Sequence, residues 1–330
     1  MWTDISASNF RRRMARIRPR LPPRPPPCLP LRLAAAQAPS PSWHRHGRRV
    51  VVASEPDGRP LALHVVTVGD GPDLVLLPGY LQSSWSWRHN LVALAGRFRV
   101  HAVCLPGFGW SDRPQNVEYR LDDQLRRLLG CLDALGIGRF DLIGHSLGGS
   151  LALRLCLTHP ERVGRLVLVS PAVSGLYPMA LIAALQHPRW APLLALPGVP
   201  HGLWAGLQHI AYRGATIDAD YMDRFLLPLH DPGGRRAALA IARAYNADLA
   251  ANDRLIAAVR PLPPALAARV AILHGDHDLL VPSRAVARLA SRLPVVRRFR
   301  FAASGHCPME EEPGRFNRVV LEHLDESTRA

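Results

Sequence analysis

Three side chain types distant in the chain could together do acyl-transfer chemistry. Gly144-His145-Ser146-Leu147-Gly148 sets a serine between glycines, a spacing that permits a sharp strand-to-helix turn holding one hydroxyl out of a sheet. Serine is a poor nucleophile unless a base takes its proton. His306, after Gly305 in FAASGHCPMEEEP, is the candidate base among fifteen histidines, because it lies late in the chain in a loop after a strand. Imidazole can accept and return a proton near neutral pH. GDHDLLVP offers Asp276 and Asp278. Asp278, just before Leu279-Leu280-Val281-Pro282, is the expected carboxylate that fixes the histidine tautomer. Two N–H donors for a developing oxyanion are expected from the main chain of Leu147, at a helix start, and of Tyr80, after Gly79 in LLPGYLQSSWSWR. Two other readings compete. Ser146 could be an N-cap in an ordinary strand-to-helix turn. His274, Asp276, His277 and Asp278 could hold a metal, although alternation along a strand sends neighbours to opposite faces.

These residues need a scaffold, and the chain alternates strand and helix from about residue 48. RRVVVAS and LALHVVTVG read as an antiparallel pair turning at Asp57-Gly58. DLVLLPG, FRVHAVCLPG, FDLIGHS, GRLVLVSPA, RVAILHGDHD and VVRRFRFAAS are short strand-like runs that end in turn residues. Helical stretches fall near 86–95, 120–136, 147–159, 283–293 and 313–325. The pattern implies an α/β fold with a mostly parallel central sheet and helices on both faces. Residues 174–245 break the rhythm with apolar helical pieces interrupted by prolines, Pro232 among them. They read as a helical cap over the carboxyl ends of the strands, leaving 48–173 and 246–330 as the core.

Composition narrows the function. The chain has 330 residues, 48% hydrophobic and 20% charged, and no apolar run long enough to span a bilayer. Its net charge of +15 resides largely in the first fifty residues, which hold eleven arginines and one acid. Residues 1–47 read as a disordered, basic, proline-rich tail. Without a folded basic module, nucleic acid is not an expected partner. No lysine occurs, which excludes a P-loop, and no GxGxxG is present. Five separated cysteines without CxxC spacing point to reduced thiols. The cytoplasm is the expected compartment; Arg32 and the prolines interrupt any signal-peptide core, making export the lesser alternative.

The ordered stretches LPGYLQSSWSWR, LPGFGWSDRP, GHSLGG, GDHDLLVP and GHCPMEEEP resemble the α/β-hydrolase fold superfamily, in its branch of capped serine esterases and lipase-like hydrolases. The resemblance covers about residues 48–325. It implies a Ser146-His306-Asp278 triad, an oxyanion hole from Tyr80 and Leu147, an ester substrate, and no metal or organic cofactor. Carbon–carbon bond hydrolases, acyltransferases, cofactor-free haloperoxidases and non-catalytic ligand-binding members share the fold. The first of these typically carry Trp after the histidine and Asn-Ser-Met at the elbow, where this chain has Cys307 and His145-Ser146-Leu147. Two further departures stand out: Pro78 replaces the usual histidine before Gly79, and Cys104 replaces an aspartate. Trp85 is expected to line the acyl pocket or pack the core, and Trp190, Trp204 and Met222 to form an apolar roof for an uncharged acyl or alkyl group. Nothing in the sequence fixes the oligomeric state.

Overall fold

The computed structural model describes residues 47–52, 60–115, 117–173, 210–213, 231–258, 269–293 and 296–325. Eight strands form one sheet: β1 (Arg48–Val52), β2 (Leu61–Val68), β3 (Asp73–Leu77), β4 (Arg99–Val103), β5 (Phe140–His145), β6 (Val163–Val169), β7 (Val270–Gly275) and β8 (Arg297–Phe301). Their spatial order is β1-β2-β4-β3-β5-β6-β7-β8. The β1/β2 and β2/β4 pairs are antiparallel, and every pair from β4 onward is parallel. The expected opening hairpin is therefore present, while its turn at Asp57-Gly58 and the tail before residue 47 lie outside the described residues.

Central strands buried on both faces need continuous apolar runs rather than alternation. Leu74–Leu77 of β3, Leu166–Val169 of β6 and Ala271–Leu273 of β7 meet that need and are buried. Helices α1 (Leu91–Ala95), α2 (Leu121–Ala134), α3 (Leu147–Thr158), α4 (Pro232–Ala258), α5 (Ser283–Arg292), α6 (Pro308–Glu311) and α7 (Pro313–Asp325) accompany the sheet. In α2, Leu121, Leu125, Leu128 and Leu132 recur at helical spacing and face the core. In α5, Ala285, Val286, Leu289 and Ala290 do the same.

Helix α4 runs unbroken through residue 245, where the sequence reading ends the cap, and Pro232 begins it instead of interrupting it. Proline suits a first helical turn because the N–H it lacks has no intrahelical acceptor there. Most of the insertion is outside the described residues. Helix α4, which runs past residue 245, packs against α2. Asp248 accepts hydrogen bonds from Arg120 Nε and from the Leu121 N–H, each at 2.7 Å. No described helix is long and apolar enough to cross a membrane.

Sheet order determines where a site can lie. After β3 the chain moves to β4 on one side, then returns to place β5 on the other. The loops leaving β3 and β5 therefore diverge, and a crevice opens between them at the strands' carboxyl ends. The Gly79 loop and the Ser146 turn flank that crevice. Close packing there depends on Gly148: a Cβ at this position would lie 2.5 Å from the Pro78 carbonyl oxygen and 2.6 Å from that of Leu77. Gly148→Ala should cost about 1–3 kcal/mol, the usual range for overpacking. Gly138→Ala, with nothing within 4 Å of its added Cβ, should stay within about 0.5 kcal/mol. Urea unfolding midpoints of the two variants check the contrast.

Candidate active site

Ser146 sits between the end of β5 and the start of α3 with φ 51° and ψ −115°. A non-glycine residue at positive φ is strained and persists only where surrounding structure over-determines it. Here the Ser146 N–H donates to the Val169 carbonyl at 2.9 Å, and its own carbonyl accepts from the Ala172 and Ser150 N–H groups at 3.1 Å. Its side chain makes no N-cap hydrogen bond, so the simple capping role is not the one it performs. The residue is half-buried.

The loop after β3 lies alongside. A Cβ on Gly79 would approach the Ser146 Cβ to 3.1 Å and the His145 ring to 3.0 Å. Pro78 stands before Gly79, and the Gln82 side chain supports the loop. Its Oε1 accepts from the Gly79 N–H at 2.9 Å, while the Tyr80 hydroxyl donates to the Ala238 carbonyl of α4 at 2.9 Å. Leu81 completes the tight turn at φ 59°. Among the described residues, neither the Tyr80 nor the Leu147 main-chain N–H is engaged by another hydrogen-bond acceptor. Cys104 is buried, with its sulfur against the Ser84 N–H at 3.3 Å, and burial holds it as a thiol by pushing its pKa up.

His306 follows β8, and its Nδ1 lies 2.8 Å from Asp278 Oδ2 in the loop after β7. The other Asp278 oxygen accepts from the Leu280 and Val281 N–H groups at 2.9 and 2.8 Å. Burial pushes this carboxyl's pKa up, but the His306 imidazole, its hydrogen bond and the Val281 N–H outweigh that and hold it below the usual value. Asp278 is thus an ionised, hydrogen-bonded acceptor. Asp276 instead faces Arg300, at 2.8 Å, and His277 faces Arg213. Of the candidate metal set only His274 stays near Asp278, its Nδ1 3.7 Å from Oδ2, and no group of three or more potential ligands converges among the described residues.

The two halves meet at His145. Its ring centroid is 4.7 Å from that of His306; Nδ1 lies 2.7 Å from Gln82 Oε1 and Nε2 2.9 Å from the His306 carbonyl oxygen. Both neighbours are acceptors, and a ring donating to both would carry two protons. Burial opposes that charge and pushes the pKa down to about 3, so the neutral ring satisfies one acceptor at a time. The structure thus brings Asp278 onto His306 and His306 beside the Ser146 turn, though no hydrogen bond joins the serine hydroxyl to the imidazole among the described residues. Such contacts often tighten only around substrate. Trp85 is buried in a 3-10 turn, Ser84–Trp87. Trp190, Trp204 and Met222 lie outside the described residues. Reading motifs alone misses Gln82, His145 as a bridge, and Glu311, whose carboxylate accepts from the N–H groups of Gly305 and Cys307 on either side of His306.

Comparison with known proteins places this geometry in context. A model of the alpha/beta hydrolase fold matches residues 72–313. The chain is similar, at 33% identity over 278 residues, to a 2-hydroxy-6-oxononadienedioate/2-hydroxy-6-oxononatrienedioate hydrolase of Burkholderia vietnamiensis, spanning 81% of this chain and 92% of that one. It is also similar, at 30% identity over 274 residues, to a pimeloyl-[acyl-carrier protein] methyl ester esterase of Aeromonas hydrophila, spanning 80% and 99%. Its fold matches a meta-cleavage product hydrolase from Pseudomonas fluorescens IP01 with a TM-score of 0.67 and 24% identity, over 85% of this chain and 98% of that one.

Two outcomes follow from the buried network. Gln82→Ala leaves the Gly79 N–H without its acceptor and should cost about 1–3 kcal/mol in urea unfolding. The second concerns pH. The His145 pKa falls from 6.5 to about 3 on folding, so the unfolded chain binds the extra proton. Its contribution to stability is complete above pH 6.5 and is lost as pH drops toward 3. Unfolding free energies measured across that window should fall less steeply in His145→Asn than in the wild type.

Proposed function

The chain belongs to the alpha/beta hydrolase fold family, and on that premise we propose that it is a serine hydrolase cleaving carboxylic esters through an acyl-enzyme. Ser146 is the nucleophile, His306 the proton carrier and Asp278 the group that orients it. The observation that carries this reading is the 2.8 Å contact between the His306 Nδ1 and the buried Asp278 carboxylate, beside a serine held at positive φ.

In the proposed reaction, the imidazole takes the Ser146 proton at Nε2 as the oxygen attacks the ester carbonyl. The tetrahedral oxyanion is met by the Tyr80 and Leu147 N–H groups, which act most strongly where water is excluded. His306 then returns the proton to the leaving alcohol, and the acyl group stays on Ser146. A water molecule, deprotonated by the same imidazole, releases the acid and restores the serine. Asp278 remains ionised and stabilises the imidazolium. The insertion read as a cap, 174–245, would cover this crevice. Its described portion supports that role, because Ala238 holds the Tyr80 hydroxyl and the Tyr245 hydroxyl donates to the Ala172 carbonyl just past β6.

The Burkholderia relative favours a second reading, carbon–carbon bond hydrolysis. The Aeromonas relative, an ester hydrolase by name, supports the first. Cys307 adds to that support: its buried sulfur packs 3.7 Å from Gln82 Nε2, where the typical carbon–carbon bond hydrolase has tryptophan.

A fluorophosphonate probe should label the wild type and not Ser146→Ala. Turnover of p-nitrophenyl esters should vanish in the same variant. Asp278→Asn should lower kcat by about 10³–10⁴-fold, the loss expected when the tautomer is no longer fixed. Measured beside these esters, 2-hydroxy-6-oxononadienedioate, for which the Burkholderia relative is named, should be the poorer substrate by kcat/KM. A reversed preference, with labelling intact, makes the chain a carbon–carbon bond hydrolase.

A further inference from the structure

We propose that Glu311 is a positioning residue for His306, and that the insertion reaches the imidazole through the same carboxylate. The inference rests on the reading of His306 as proton carrier. Loop backbone outside a sheet must find its own hydrogen-bond partners, and around His306 three consecutive N–H groups do so with unusual economy. The Gly305 N–H lies 3.0 Å from both Glu311 oxygens. The Cys307 N–H donates to Oε1 at 3.1 Å. The N–H between them, that of His306 itself, donates to the Ala211 carbonyl at 2.6 Å.

Ala211 belongs to the insertion, and two residues on the Arg213 N–H donates to Glu311 Oε2 at 2.8 Å. One carboxylate thus accepts from both flanks of His306 and from the insertion segment that holds His306 directly. The Tyr212 hydroxyl, between them, reaches Glu310 at 3.1 Å.

Helix capping accounts for only part of this. Glu311 ends α6, whose N-cap is Cys307, and a side chain folding back onto its own N-cap is a familiar local device. The bonds to Gly305 and Arg213 lie outside that helix and have no role in closing it. They fix the loop relative to the insertion. The far side of His306 is fixed too, since its carbonyl faces His145 Nε2. The imidazole is therefore aimed by its neighbours' backbone and by Asp278, with Glu311 as the carboxyl acceptor among the described backbone contacts; burial pushes its pKa up, and the Gly305, Arg213 and Cys307 N–H groups oppose that rise. Hydrogen bonds to an ionised acceptor are stronger than neutral ones.

A displacement of about 1 Å in a catalytic group can cost about 10²-fold in rate. Glu311→Gln keeps the size of the side chain but places an amide among N–H donors. Its kcat on p-nitrophenyl butyrate, per site counted by exhaustive fluorophosphonate labelling, should fall about 10- to 100-fold, with KM changed less than about threefold. The assay runs well below the thermal midpoints of both proteins, so loss of folded protein does not enter. Arg213→Pro removes the N–H that meets Oε2, whereas Arg213→Ala removes only the side chain; the proline variant should have the lower kcat by at least about fivefold. A per-site kcat for Glu311→Gln within about twofold of wild type overturns the proposal, as does a loss confined to KM or to the number of labelled sites. Should Glu311→Gln not fold, equal kcat in the two Arg213 variants overturns it instead. A wild type that neither labels nor turns over defeats the serine hydrolase reading, which is a separate failure.

Discussion

The backbone of the turn around Ser146 lies so close to the end of β3 that no side chain fits between them. Gly148 stands where any Cβ would meet the Leu77 and Pro78 carbonyls. That approach fixes the position of the serine relative to the Gly79 loop. It also accounts for the dihedrals at Ser146, because a relaxed turn would lift α3 off the sheet and widen the gap. Strain at one residue is held by ladder hydrogen bonds from β6 and by the first turn of α3, so the cost is spread over elements that are stable for other reasons.

Around this fixed point the polar groups form one buried system. Asp278 and His306 stabilise each other's ionic or dipolar state, while His145 is kept neutral by burial. The distinction matters because an imidazolium at His145 would oppose the same charge forming on His306, 4.7 Å away between ring centroids. A neutral neighbour spares the second ring that repulsion, which the proton-carrying role proposed for it requires. Burial at position 145 is therefore compatible with the role proposed for His306, whereas two charged rings so close would compete.

Much of this was legible from residue types. The strands, the parallel order of the core and the places of Ser146, Asp278 and His306 follow from apolar runs ending in glycine-containing turns. What sequence reading could not supply were side chains whose partners are main-chain atoms. Gln82 carries no motif, and its spacing of three residues from Gly79 becomes informative only once the chain turns at Leu81. Glu311 stands within a run of three glutamates, and nothing in that run marks which one folds back over the histidine loop. Helix α4 was obscured for another reason: Pro232-Gly233-Gly234 looks like a break, yet proline at a helix start is favourable. Local propensity left the choice open, and contacts such as Asp248 with the start of α2 resolve it.

The position of His306 after β8, at one edge of the described sheet, has a consequence for how the molecule folds. Strand β8 pairs only with β7 among the described strands, and the residues it delivers must meet a turn 160 positions earlier in the chain. Contacts between such distant segments form late, because closing long loops costs entropy before any contact repays it. Strands β5, β6 and β7 can pair and shape the turn at Ser146 before β8 docks and brings the imidazole in. On the proposed reading, the serine gains its base only once that edge strand has docked, so reactivity would report a sheet paired out to its edge.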